Sequence, residues 1–132
     1  MSAADLAARL EAARRFTVEL DGAVVLTLRQ PTEHESSCLY LEAGAPAASQ
    51  WMRWQRLLVE RALVGWSGVT EATFAADVPG HAAVVTPPEV AFDAALVPAL
   101  LDARPEWFKG LIAALLARMA AARATREAAS GN

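Results

Sequence analysis

The chain is predicted to be organised around the stretch from Leu57 to Val69, a largely apolar helical pattern followed by one aromatic residue, Trp66, between two glycines. Apolar side chains occupy most positions up to Val64, which predicts a helix that other elements must cover because it lacks a wide polar face. Gly65 is predicted to end this helix, since glycine accepts the left-handed conformation in which helices commonly stop. We expect the next residue, Trp66, to fold back into the core and bury its large ring there.

Residues 1–29 predict a helix followed by a β-hairpin. Residues 1–15 carry only a thin stripe of leucines and alanines, so this N-terminal helix is expected to be loosely docked. Residues 16–29 alternate between apolar and polar positions on both sides of Asp21-Gly22, a dipeptide typical of tight hairpin turns. Because a hairpin of two strands is marginally stable alone, it must pack on helices.

A second helix is predicted to start at Thr32. Thr32 and Glu35 have the spacing of a capping box, in which the two side chains satisfy free backbone N–H groups of the first turn. A loop is expected over residues 43–48, which include glycine and proline. The side chains expected to point inward from this helix are those of Cys38, Leu39 and Leu41.

The helix that leads into Gly65 is predicted to begin at a Ser49 cap and carries two tryptophans on one face. Trp51 and Trp54 have the spacing of neighbours on a helical stripe, with Arg53 beside them. The favoured interpretation is that both tryptophans belong to the core and fasten this helix to the hairpin, because aromatic stripes at helical spacing usually face inward. The alternative is a partner-binding surface, in which tryptophan and arginine are enriched.

The second half of the chain predicts further helices after a region without clear periodicity, residues 70–85. That region contains a predicted turn at Pro79-Gly80, and a short strand is expected over residues 83–86. Asp93 is a plausible helix cap, and the helix proper is expected to start at Val97 because Pro98 fits only near a helix start. The residues expected to face inward here are Leu96, Leu100 and Leu101.

The last helix is predicted to start at Pro105, because proline is favoured at the first helical position. Its pattern thins beyond Ala122, and residues 129–132 are expected to form a disordered tail. The broad apolar face consists of Phe108, Leu111, Ile112, Leu115 and Met119.

These elements predict a single domain over residues 1–132 with an α+β fold that is mainly α. In this fold the N-terminal β-hairpin packs on a bundle of about four to five helices, and residues 32–128 form the helical body. A chain of this length can bury roughly two-thirds of the surface that its unfolded form exposes.

Composition and charge exclude several classes of function. The chain is 55% apolar and carries a formal net charge of −3, so it lacks the basic excess that a nucleic-acid partner requires. No apolar run reaches the ~18 residues of a membrane span, and the N-terminus lacks the pattern of a signal peptide. We therefore expect a cytoplasmic protein with no membrane partner. The single cysteine, Cys38, cannot form an internal disulfide and is expected to be a buried small hydrophobe.

No group of residues has the pattern of a catalytic or metal site. The two histidines, His34 and His81, show no neighbours at a recognised metal-ligand spacing, and the glutamates that flank His34 point in different directions on a helix. Gly65 and Gly68 precede no basic residue, which argues against a phosphate-binding loop. We therefore expect a protein that is not an enzyme and that uses no metal and no cofactor.

Several short motifs follow one another in a distinctive order. They are Asp21-Gly22, Leu28-Arg29-Gln30-Pro31-Thr32 with Glu35, Leu63-Val64-Gly65-Trp66-Ser67-Gly68-Val69, Pro87-Pro88, Phe92-Asp93, Leu100-Leu101 and Arg104-Pro105-Glu106. In this order they resemble the small tail assembly chaperones of long-tailed bacteriophages and prophages. The resemblance spans most of residues 16–120, and the segment from Thr70 to Thr86 departs from the family pattern.

The resemblance implies a non-enzymatic protein that keeps the long, helical, hydrophobic tape-measure protein soluble. It also implies release of that protein as tail-tube subunits polymerise around it. An alanine-rich helical body with spare aromatic residues is compatible with a groove for an amphipathic helix. The candidate partner-binding residues are Trp51, Arg53, Trp54, Trp66 and Trp107, together with the exposed side of the last helix.

Two other hypotheses remain open. The protein could be a structural tail-completion or connector subunit, which would stay in the particle and self-associate through closed heterologous contacts. It could also be a small helical protein-interaction module that contacts its partner through Trp51 to Arg56. The sequence is compatible with a homo-oligomer in each case.

Overall fold

The computed structural model describes residues 1–80 and 88–131. It confirms the α+β class, mainly α, with a three-stranded antiparallel sheet among the helices. The elements are α1 (Ala3–Arg14), β1 (Arg15–Glu19), β2 (Val25–Arg29), α2 (Glu33–Ala43), α3 (Ala47–Ala62), β3 (Leu63–Ser67), α4 (Glu71–Phe74), a 3₁₀ helix (Ala94–Leu96), α5 (Val97–Ala103) and α6 (Pro105–Ser130). The predicted strand over residues 83–86, and His81, lie outside the described residues.

The predicted hairpin is confirmed as β1 and β2. Leu20 donates its N–H to the carbonyl of Val24 over 2.9 Å, which leaves three residues in the connection. Gly22 has a φ of 71°, whereas Asp21 does not enter the left-handed region. The predicted two-residue turn with positive φ at both Asp21 and Gly22 is therefore wrong. The loop has three residues, and a loop of this length needs only one residue in the left-handed region.

The prediction that the apolar helix continues to Gly65 is wrong. α3 ends at Ala62, and Leu63–Ser67 forms a third strand, so that the sheet order is β1-β2-β3. Trp66 lies opposite Leu26, and the register shifts between Thr27 and Leu28. The physical reason is a tertiary contact. The edge of β2 that β1 does not use is available, and pairing with it gives the backbone N–H and C=O groups of residues 63–67 hydrogen-bond partners without a helix.

The core forms where the helices close over one face of this sheet. Leu26 and Leu28 of β2 are completely buried, as their alternate spacing in a strand requires. α3, α5 and α6 cover them with fully buried leucines and valines. The largest of these side chains are Leu58, Val59, Val97, Leu100, Leu101, Leu111 and Leu115.

α2 starts as predicted, but two of its three expected core residues are exposed. The Thr32–Glu35 capping box is present, and Leu39 is buried. Cys38 and Leu41 are exposed, so their predicted burial is wrong. Only a narrow stripe of α2 meets α3, and that stripe consists of Ser36, Leu39 and Ala43.

Several helix boundaries differ from the predicted ones. Pro46, not Ser49, occupies the cap position of α3. Asp93 caps as predicted, but it caps the 3₁₀ helix before Val97, where α5 starts. α6 begins at Pro105 as predicted and extends to Ser130, so the predicted tail over residues 129–132 is wrong for its first two residues. Asn132 lies outside the described residues.

α1 buries none of its residues and is held to the body by polar contacts. Arg29 of β2 donates to both carboxylate oxygens of Glu11 over 2.8 and 2.7 Å and also pairs with Glu35 over 3.0 Å. The Arg29 guanidinium holds the pKa of Glu11 below its ordinary value. No helix among residues 1–80 and 88–131 combines the length and apolarity needed to cross a bilayer.

Substitution of Gly68 by alanine should destabilise the fold. Gly68 has a φ of 77°, and a Cβ there would collide with the carbonyl of Ala23. We expect a loss of about 2 kcal/mol or more in the free energy of unfolding, measured by denaturant titration. Gly110→Ala is the control, because nothing lies within 4 Å of a Cβ at that α6 position. It should be neutral or stabilise by up to ~1 kcal/mol, and equal effects of the two variants would contradict the account.

α1 should detach at acidic pH. A carboxylate whose pKa is lowered by folding stabilises its contact above its unfolded pKa, and this is lost as the pH falls through the folded value. We expect the helical NMR signals of residues 3–14 to weaken below about pH 4 while those of α6 persist, since an isolated short helix is marginal. In Glu11→Gln these signals should already be weak at neutral pH. A variant with unchanged α1 signals would show that Glu11 does not hold the helix.

Candidate protein-binding surface

An exposed aromatic groove lies between α2 and α3. Its lining includes Tyr40 and Leu41 of α2 with Trp51 and Trp54 of α3, and we call this set the aromatic groove. Its volume is about 490 Å³. The exposed fraction is 76% for Leu41, 53% for Trp51 and 40% for Tyr40, which is unusual for large apolar side chains clustered together. Met52, 69% exposed, follows Trp51 on α3.

The structure separates the two tryptophans that the sequence placed on one stripe. Trp54 is buried, and its indole N–H donates to the carbonyl of Ser36 over 3.0 Å, so it forms the floor of the groove. Trp51 lies at the surface with its ring centroid 4.7 Å from that of Trp54. The core interpretation therefore holds for Trp54 alone. The hydrogen bond of Trp54 joins α3 to α2, and the ring belongs to the same core cluster as Leu26 and Leu28 of the hairpin.

Arg53 organises the backbone beneath the groove. Its guanidinium donates to the carbonyls of Ala43 over 2.7 Å, Gly44 over 2.6 Å and Pro46 over 2.9 Å. It also donates to the Ser49 hydroxyl. These bonds satisfy carbonyls at the end of α2 and in the connection to α3 that the helices leave free. Arg53 thus fixes the turn between the two helices that carry the groove.

The other two candidate tryptophans lie away from the groove. Trp66 of β3 is half-buried, donates to the carbonyl of Val90 over 2.7 Å and packs edge-on against Phe92 with centroids 4.8 Å apart. Trp107 of α6 is 3% exposed and lies beneath the guanidinium of Arg104, 5.1 Å from the ring centroid. Both rings pack against other elements of the domain, and neither lines the aromatic groove with Trp51.

Sequence reasoning missed Tyr40 and Met52 and placed Leu41 inward. A usable signal was present in α2, because the residues that pack on α3 recur as Ser36, Leu39 and Ala43. Leu41 does not fit that spacing and therefore cannot share the buried stripe. An apolar residue outside the buried stripe of a short helix indicates an exposed contact surface.

Polar side chains elsewhere serve mainly to join elements. Arg56 of α3 pairs with Glu60 over 2.7 Å and with Asp102 of α5 over 2.9 Å. On α2, the Cys38 sulfur lies 3.6 Å from Nε2 of His34, a neighbour at helical spacing that the sequence analysis overlooked. Within the described part of the chain, no group of three or more histidine, cysteine or carboxylate residues could hold a metal ion.

Comparisons with known proteins add no relative to this picture. No family model, no curated protein sequence and no solved structure gives a significant match to the chain.

The two groove tryptophans should differ sharply in their effect on stability. Trp54→Ala removes a buried ring and a satisfied N–H, and it should cost about 3–5 kcal/mol of unfolding free energy. Trp51→Ala removes an exposed ring and should cost less than about 1 kcal/mol. Denaturant titrations followed by circular dichroism measure both values. Similar losses in the two variants would show that Trp51 also supports the core.

Proposed function

We propose that this protein is a non-enzymatic tail assembly chaperone of a bacteriophage or prophage, acting in the cytoplasm of the bacterial host. Its partner would be the tape-measure protein, bound until tail-tube subunits polymerise around it. Two lines support the proposal. One is the ordered set of motifs, which resembles that family. The other is the aromatic groove, and the proposal rests mainly on this groove.

The groove has the chemistry needed to bind an apolar helix. Binding surfaces concentrate their energy in a few aromatic anchors, and tryptophan and tyrosine are the residues most often found there. Trp51 and Tyr40 stand at the groove, Leu41 adds aliphatic surface, and the polar atom of Trp54 is already satisfied within the domain. An amphipathic helix could place its i, i+3, i+4 and i+7 side chains against such a surface.

The rigid support of the groove also favours binding. Arg53 and the bond from the Gln50 side chain to the carbonyl of Tyr40, 2.7 Å long, hold α2 and α3 in one arrangement. A surface that is ordered before binding loses less conformational entropy when the partner arrives. A long helical protein with repeated apolar faces could then occupy many copies of the chaperone along its length.

Coexpression with the tape-measure protein of the same gene cluster tests the proposal. We expect the tape-measure protein to stay soluble and to copurify with the wild-type chain. Leu41→Ser combined with Trp51→Ala should reduce this recovery, because losing one hot-spot residue costs about 2 kcal/mol, or ~30-fold in affinity. The amount of soluble partner per chaperone is the measured quantity.

Leu6→Ser is the matched control, since Leu6 is 48% exposed on α1 and outside the groove. It should retain full recovery of the partner. If the tape-measure protein precipitates with the wild-type chain, the chaperone proposal fails. If this chain is instead found as a ring in finished particles, the structural connector hypothesis replaces it.

A further inference from the structure

β1 is an edge strand with one unpaired side. The sheet order β1-β2-β3 leaves the outer side of β1 without a neighbouring strand among the described residues. Leu20 donates to Val24, and Gln30 donates to the carbonyl of Arg14 over 2.8 Å. Arg14 and Leu20 are the even-numbered residues that flank β1 at its two ends. Because hydrogen-bonded pairs alternate along an antiparallel ladder, Phe16 and Val18 bond to β2.

The backbone groups of the odd positions therefore point away from the sheet. These positions are Arg15, Thr17 and Glu19, whose side chains are all exposed. Among these backbone groups, the N–H of Arg15 already donates to the carbonyl of Ala12 in α1. An edge with free N–H and C=O groups is a template for pairing with another strand. Natural proteins commonly protect such edges with charges, so the kind of charge at each position decides what can pair.

The charges on this edge are self-complementary. If a second copy pairs antiparallel with its Thr17 opposite Thr17, then Arg15 faces Glu19 of the second copy and Glu19 faces Arg15. Opposite charges directly across an antiparallel pair are stabilising, and threonine pairs well with threonine. A shift of the register by one residue would lose both charge pairs and reverse the faces.

Within the described part of one copy, neither charge has a close ionic partner, since Glu11 is bonded to Arg29 and acts on Arg15 only at longer range. Arg15 and Glu19 belong to no ion pair among the described residues. Arg15 lies opposite Arg29 in the sheet, so two positive charges face each other. Arg29 forms ion pairs with Glu11 and Glu35, whereas Arg15 forms none with them. Within one copy Arg15 therefore has a repulsive neighbour across the strand, whereas the second copy would offer a carboxylate.

We propose that β1 pairs with β1 of a second copy of this chain, across a two-fold axis at Thr17, to form a continuous six-stranded sheet. Three pairs would supply about four backbone bonds, because the N–H of Arg15 in each copy already donates to the carbonyl of Ala12. Phe16 and Val18 point to the other face of the strand and are half-buried. In the dimer, Phe16 of one copy would lie opposite Val18 of the second copy, and Val18 opposite Phe16. The guanidinium of Arg118, 4.3 Å from the Phe16 ring centroid, already covers part of this apolar strip. The inference is independent of what the aromatic groove binds.

Sedimentation velocity of the full chain over a concentration series tests the pairing. The wild type should dimerise. Residue 15 of each copy faces residue 19 of the other, so Arg15→Glu or Glu19→Arg alone creates two pairs of like charges in the dimer. Each variant should raise the dissociation constant of the dimer by about tenfold or more. A mixture of the two single variants should form a heterodimer, because one edge then carries two negative charges and the other two positive charges. The double variant Arg15→Glu with Glu19→Arg should form a homodimer, because its exchanged charges are again complementary.

Three controls separate pairing from general charge effects and misfolding. Arg9→Glu and Glu127→Arg change the net charge by the same amounts at exposed positions outside β1 and should leave the dimer intact. Thr17→Pro removes an outward N–H that β2 does not use, and proline is tolerated at such a position of an edge strand. It should abolish the dimer with an unchanged circular dichroism spectrum. A wild type that is monomeric at every soluble concentration overturns the proposal. A dimer that is unaffected by the single charge reversals overturns it equally.

Discussion

The rest of the structure depends on the complete burial of the central strand, β2. Leu26 and Leu28 point from it into the core and are 0% exposed, so their burial depends on the helices that cover this face of the sheet. β1 pairs with one edge, β3 with the other, and the helices close over the shared face. α3 meets this requirement by ending at Ala62, because only then can residues 63–67 pair with β2. The helical hairpin of α2 and α3, which carries the aromatic groove, is positioned by the same junction.

Local signals in the sequence predicted the elements whose structure is decided locally. The Thr32–Glu35 capping box, the position of the hairpin turn at Gly22 and the start of α6 at Pro105 each depend on one or two residues and their own backbone, and all three are confirmed. The third strand was missed because its decisive partner lies far away in sequence. Leu63 to Gly65 continue an apolar helical pattern, and nothing local shows that the edge of β2 is available to them.

The binding surface was only partly predictable for a related reason. Helical periodicity placed Trp51 and Trp54 on one stripe, but burial depends on how much of that stripe a neighbour covers. Trp54 lies beneath α2, whereas Trp51 lies beside it and stays 53% exposed, so one ring supports the fold and the other is at the surface. Arg53 was proposed as a contact residue because arginine is common at interfaces. Its carbonyl partners lie at the end of α2 and in the connection to α3, whose path the sequence does not specify.

The two proposed surfaces share no residue. The aromatic groove lies on α2 and α3, whereas the self-pairing edge lies on β1, so a dimer would present two grooves to one extended partner. Two linked weak sites can hold a long chain more firmly than either alone, because the second contact forms at a high effective concentration. That arrangement would suit a partner with repeated apolar helical faces, and release would follow when polymerising subunits cover those faces one after another.

Site-specific photocrosslinking tests the central claim most directly, namely that the aromatic groove contacts the tape-measure protein. A photoreactive phenylalanine analogue replaces Trp51 in one variant and Leu6 in another, and each is expressed in cells that assemble the tail. The account predicts a crosslink from position 51 to helical segments of the tape-measure protein, identified by mass spectrometry, and none from position 6. Crosslinks to the tail-tube protein alone, or equal crosslinking from the two positions, would contradict it.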